Sequence, residues 1–92
     1  MRIRWTKPAI EDIASIVRYI RKADQAAALR VKITIADAVS TLSSMSERGR
    51  KGEVEGTREL VFHPWPYIAV YEIHNEDEVR ILRIRHAAQD WP

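Results

Sequence analysis

Ninety-two residues, 46% hydrophobic and 30% charged, suffice for one core and hence one domain over 1–92, because two cores would leave neither enough apolar surface to close. No apolar run reaches the length of a membrane span, and the charged start Met1-Arg2-Ile3-Arg4-Trp5 lacks the pattern of a secretory leader. With no cysteine and a net charge of only +2, disulfides and thiolate chemistry are excluded and a cytoplasmic domain is expected, its basic residues grouped at the two ends where local fields outweigh net charge.

Residues 2–5 alternate Arg-Ile-Arg-Trp, the period of a half-buried strand. Thr6 offers an N-cap hydroxyl and Pro8 falls in the first turn of a helix. Glu11 and Asp12 lie near the positive end of its dipole and Arg18, Arg21 and Lys22 near the negative end. Ile10, Ile13, Ala14, Val17 and Ile20 repeat at helical spacing, so one stripe is buried. Lys22-Ala23 forms a joint, and Asp24 reads as the next N-cap. Residues 25–45 hold no glycine or proline. Ala28, Val31, Ile35, Ala38, Val39, Leu42 and Met45 make one face, which Leu29, Ile33 and Ala36 widen. A second helix over this span is expected to pack antiparallel on the first.

Residues 46–57 carry all three glycines and no apolar period, which predicts a surface loop. Extended character resumes at 58–62 and breaks at His63-Pro64-Trp65-Pro66. Residues 67–74 are the strongest strand, 75–78 a polar turn and 79–86 the returning strand. The tail 87–92 is too short for a packed helix. The expected fold is α+β: an N-terminal strand, a two-helix antiparallel hairpin, then three antiparallel strands (βααβββ), with the helices on one face of a four-strand antiparallel layer.

Alternation within 79–86 sends Val79, Ile81, Arg83 and Arg85 to one face and Arg80, Leu82, Ile84 and His86 to the other, unless a bulge near Arg83 re-aims the strand. His86 is either a general acid or base or a rim histidine bonded to backbone. Arg2, Arg4, Arg58, Arg83 and Arg85 would form a cationic stripe for nucleic acid or an acidic partner if their strands pair on the open face. The other reading is a solvated face. Tyr67 and Tyr71 share a face and serve core packing or base stacking. Trp91 is the tryptophan best placed for a partner. His63, His74 and His86 lack ligand spacing, so neither metal nor cofactor is expected. Gly49-Arg50-Lys51-Gly52 is not a phosphate-binding loop.

Gly56-Thr57-Arg58-Glu59-Leu60-Val61, His63-Pro64, Pro66-Tyr67-Ile68-Ala69-Val70-Tyr71, Ile81-Leu82-Arg83-Ile84-Arg85-His86 and Asp90-Trp91-Pro92 together resemble the RelE/ParE toxin superfamily. The resemblance covers essentially the whole chain, helical hairpin included. It implies the stable half of a type II toxin–antitoxin pair, neutralised by a cognate antitoxin. RelE-like members cleave messenger RNA in the ribosome and ParE-like members inhibit DNA gyrase. Ile68 stands where the RelE-like pattern has an arginine, and the basic terminal helix with its catalytic tyrosine has no counterpart. Both departures favour a ParE-like gyrase inhibitor. One alternative is a ribosome-dependent endonuclease using His86 with Arg58, Arg83 or Arg85, since some nuclease members carry a histidine near this place. Another is an inactive module limited to antitoxin binding and operator repression.

Overall fold

A computed structural model describes residues 1–88. β1 (Arg2–Trp5) turns Ile3 and Trp5 inward and leaves Arg2 and Arg4 exposed. The Thr6 hydroxyl then joins sheet to helix: it accepts from the Ala9 N–H at 3.3 Å and donates to the Ile81 carbonyl at 2.8 Å. It thereby satisfies one of the unpaired donors that open α1 (Lys7–Ala23). Asp24 closes one helix and opens the next. Its N–H donates to Ile20, and its carboxylate accepts from the Ala27 N–H at 3.0 Å at the start of α2 (Gln25–Ser40). A one-residue joint forces the two helices back to back.

The second helix stops five residues short of the expected end. Ser40, Thr41 and Ser43 each turn a hydroxyl onto the carbonyl three residues back, competing with the helical ladder. A single 3₁₀ turn (Thr41–Ser43) finishes the segment and buries Leu42. The wide apolar face is only partly used: Val31, Ile35 and Val39 are buried, whereas Leu29, Ile33 and Met45 are at least half exposed.

Among the described residues the sheet has five strands rather than four, in the order β1-β5-β4-β3-β2, and it is mixed rather than antiparallel throughout. β2 (Arg50–Lys51) lies within the expected loop and pairs with β3 (Arg58–Val61). β3, β4 (Tyr67–His74) and β5 (Glu78–His86) run antiparallel in succession. β1 joins the edge of β5 in parallel, from Arg2 opposite Glu78 to Trp5 opposite Ile81. The direction follows from where the helices deliver the chain. The Met1 ammonium donates to the Ser43 carbonyl at 2.6 Å, so the hairpin returns to the end where β1 began. β3 sets out along β1, and two further reversals bring β5 parallel to it. The β4–β5 turn holds Asn75 and Glu76 at φ 52° and 61°, the left-handed pair of a type I′ turn that suits strand twist.

Helix residues Ala9, Val31, Ile35 and Val39 meet Leu60, Ala69, Tyr71, Val79, Ile81 and Ile84 of the sheet. Ile81 and Ile84 both face this core although they are three positions apart. Tyr71 lies opposite Ile81 and Val70 opposite Arg83, so Leu82 is an extra residue, a bulge that resets the alternation. Loop 46–57 is pinned to the core. The fully buried Tyr71 donates its hydroxyl proton to the Ser46 carbonyl at 2.7 Å and accepts the Gly49 N–H at 2.9 Å. Burial pushes the Tyr71 hydroxyl above its usual range, keeping it a protonated donor. Tyr71 is thus a core residue, not a platform for a base. Among the described residues no helix is long and apolar enough to cross a membrane.

On the uncovered face Glu78, 7% exposed, is surrounded by Arg80, Arg2 and Arg4. The hydrogen bond from Arg80 is the main cause that holds its carboxyl below the ordinary glutamate value of 4.5. With the folded value below the unfolded one, the pairing stabilises the fold above that pH and is lost as pH falls through the lowered value. Urea midpoints measured downward from pH 6 should therefore fall more steeply for the wild type than for Glu78→Gln. Parallel acid limbs would refute this.

Candidate functional site

β1 ends opposite Ile81, so from Leu82 onward one edge of β5 has no neighbouring strand among the described residues. α1 runs past this edge, leaving a cleft of about 550 Å³. Asp12, Ser15 and Tyr19 line it from α1, Tyr67 from β4, and Arg83, Arg85 and His86 from β5. Asp12 takes the place of the missing strand. Its carboxylate accepts the Ile84 N–H at 3.0 Å and both Arg83 Nε, at 2.7 Å, and Arg83 Nη2, at 2.9 Å. A two-pronged guanidinium–carboxylate pair is the strong form of this interaction. The hydrogen bond to Asp12 is the largest cause raising the Arg83 guanidinium above its usual value.

His86 sits at the cleft's mouth, its ring edge-on to Tyr67 at 5.7 Å between centroids. Its Nδ1 accepts the Ala88 N–H at 3.1 Å, which assigns the proton of the neutral ring to Nε2. Tyr67 has its hydroxyl pKa raised, first by burial and second by the nearby Tyr19.

The structure brings together Arg83, Arg85 and His86 and separates the other candidates from them. By ladder pairing Arg83 and Arg85 share a face with Val70 and Ile68, and His86 shares the opposite face with Tyr67. They meet because the cleft opens at a bare edge that side chains reach from both faces. Arg58 lies opposite Tyr71 on the covered face and donates to the Glu47 and Gly49 carbonyls at 3.3 and 2.9 Å. It therefore holds the loop and lines no part of the cleft. Arg2 and Arg4 flank Glu78 near the hairpin turn. The five arginines do not form one stripe. Trp91 lies outside the described residues.

Sequence reasoning misses the α1 wall of the cleft: it reads Asp12 only as a carboxylate near the helix dipole and gives Ser15 and Tyr19 no role. The one local signal was helical spacing, which puts Asp12, Ser15 and Tyr19 at i, i+3 and i+7 on one face. The cleft carries cations, a histidine imidazole and two phenols in one place. These groups can bind an anion or an aromatic ring, but Asp12 neutralises one of the two guanidiniums.

The model of the family "ParE toxin of type II toxin-antitoxin system, parDE" matches residues 3–91. Y4kP of Sinorhizobium fredii, provisionally named a toxin, is 44% identical over 91 residues, covering 99% of this chain and 93% of that protein. A solved structure of a chromosomal ParDE toxin–antitoxin system from P. aeruginosa superposes with a TM-score of 0.86 at 29% identity, covering 94% of this chain and 95% of that one. The RelBE2 toxin–antitoxin complex from Mycobacterium tuberculosis superposes less closely, with a TM-score of 0.61 at 26% identity over 96% and 92% of the chains. A mixed sheet under a helical hairpin, matched along nearly its whole length, places this chain in the ParE toxin family of type II toxin–antitoxin systems.

Proposed function

We propose that this chain is a cytoplasmic toxin that inhibits DNA gyrase through protein contact and is neutralised by a cognate antitoxin. The observation that carries the reading is the ParE family match across residues 3–91. The engaged state of Arg83 supports it further. Arg83, one of the arginines a nuclease would use against the charge that develops at phosphorus, is bonded to Asp12 by two prongs. The purified chain should block ATP-dependent supercoiling by gyrase and accumulate cleaved DNA–gyrase complexes, while leaving ribosome-bound messenger RNA intact. Codon-phased RNA cuts with normal supercoiling would overturn it.

The meeting of Arg83, Arg85 and His86 in one cleft favours the endonuclease as a second reading. His86→Ala separates the two: a ribonuclease loses its general acid or base, at a cost of about 10²–10⁴ in rate, while a gyrase inhibitor that makes no bonds keeps its potency.

A further inference from the structure

The cleft between α1 and β5 holds polar groups that the fold does not use. Among the described residues the hydroxyls of Ser15, Tyr19 and Tyr67 make no hydrogen bond to protein, although all three side chains line it. Tyr67 is half-buried, and burial raises its hydroxyl above the usual range, which keeps it a donor. Tyr19 is 75% exposed, the barest large hydrophobic side chain among the described residues. Asp12 is the one carboxylate in the lining, and its oxygens already serve Ile84 and Arg83. The lining is therefore rich in O–H and N–H donors, and its acceptor is committed. A group that fits must bring oxygen acceptors of its own.

Charge decides what carries those oxygens. Arg83 and Arg85 against Asp12 leave the lining with one net positive charge, and Glu11 acts on Arg83 from just outside it. A nucleic-acid strand, charged at every phosphate, binds through several cations in a row. One carboxylate matches this cleft better. Its surroundings are also those of a protein contact: tyrosine and arginine dominate the energetic centres of interfaces, and Ile16 and Ile84 supply an apolar floor. We infer that this cleft is the surface by which the toxin grips its target protein. It takes one acidic side chain of the target among its hydroxyls and guanidiniums, while the exposed Tyr19 ring packs on the residue beside that acid. This deepens the preceding reading and rests on it for the target's identity, not for the cleft's chemistry.

The test uses the full chain in two assays, inhibition of gyrase supercoiling and growth arrest on induced expression. Tyr19→Ala and Ser15→Asp should each raise the half-inhibiting concentration about tenfold or more and relieve the arrest. Both side chains are exposed, so the melting curves should stay unchanged. Ser15→Asn fills nearly the same space without charge and should lose clearly less than Ser15→Asp, because only the carboxylate repels the target's acid. Three results would each overturn the proposal: equal losses for Ser15→Asp and Ser15→Asn, wild-type potency in Tyr19→Ala, or binding of the free chain to a single-stranded oligonucleotide that Ser15→Asp abolishes. A wild type that arrests growth but leaves gyrase untouched ends the gyrase reading alone. Relief of that arrest by Tyr19→Ala and Ser15→Asp then still upholds the cleft as the gripping surface, and its persistence overturns it.

Discussion

Gly49→Ala should lower stability by roughly 3 kcal/mol, combining the cost of overpacking with that of a strained buried hydrogen bond. An added Cβ would stand 2.7 Å from both Cε1 and the hydroxyl oxygen of Tyr71, and 2.9 Å from the backbone oxygen of Glu59. The ring is fully buried and the carbonyl is part of β3, so neither can move cheaply. For a domain of this size the melting temperature should fall by about 10–20 °C. Tyr71→Phe leaves the Gly49 N–H and Ser46 carbonyl without the hydroxyl they share and should cost about 2 kcal/mol. The two losses overlap, because deleting the hydroxyl removes one of the atoms the alanine strikes. The double variant should be less destabilised than the sum of the singles by about 1 kcal/mol. Strict additivity in denaturant melts would show that loop and ring are not coupled.

Asp12→Ala should be the most damaging change on the helix surface, at about 2–3 kcal/mol. Two contributions can be separated. The Arg83 side chain is 39% exposed and its pairing is solvent-screened, so the ionic part is worth less than about 1 kcal/mol. The Ile84 N–H belongs to a residue only 3% exposed, and an unpaired buried donor costs about 1–3 kcal/mol. Asp12→Asn keeps an acceptor for Ile84 and gives up the charge, so it should lose about 1 kcal/mol. Asp12→Ala and Asp12→Asn falling equally in chemical denaturation would mean that the ion pair, not the strand edge, is what Asp12 serves.

What the sequence made legible was local. Thr6 and Asp24 announce helix starts by hydroxyl and carboxylate within three residues of the N–H groups they bond, and both were readable. The early end of α2 was written in Ser40, Thr41 and Ser43 but was outweighed by an apolar period running on to Met45. The parallel placement of β1 depends on where a long excursion returns, which no window of residues carries. The bulge at Leu82 is legible only as an option: plain alternation through Ile81-Leu82-Arg83-Ile84 puts Ile81 and Ile84 on opposite faces, and a bulge near Arg83 is what would bring them together. The cleft was half legible. Its β5 side chains stood out by charge, while Asp12 bonds Arg83 across 71 positions and Arg58 was drawn instead to loop carbonyls.

The parallel pairing of β1 with β5 also decides when this domain comes into being. Arg2 and Glu78, 76 positions apart, lie side by side, and β5 is the neighbour of both β1 and β4. A chain emerging from its N-terminus has no partner strand for β1 until residues 78–86 have appeared, and such distant pairings form late. The sheet therefore closes around β1 only once β5 is present, and a chain cut before Glu78 leaves β1 without the strand it pairs with.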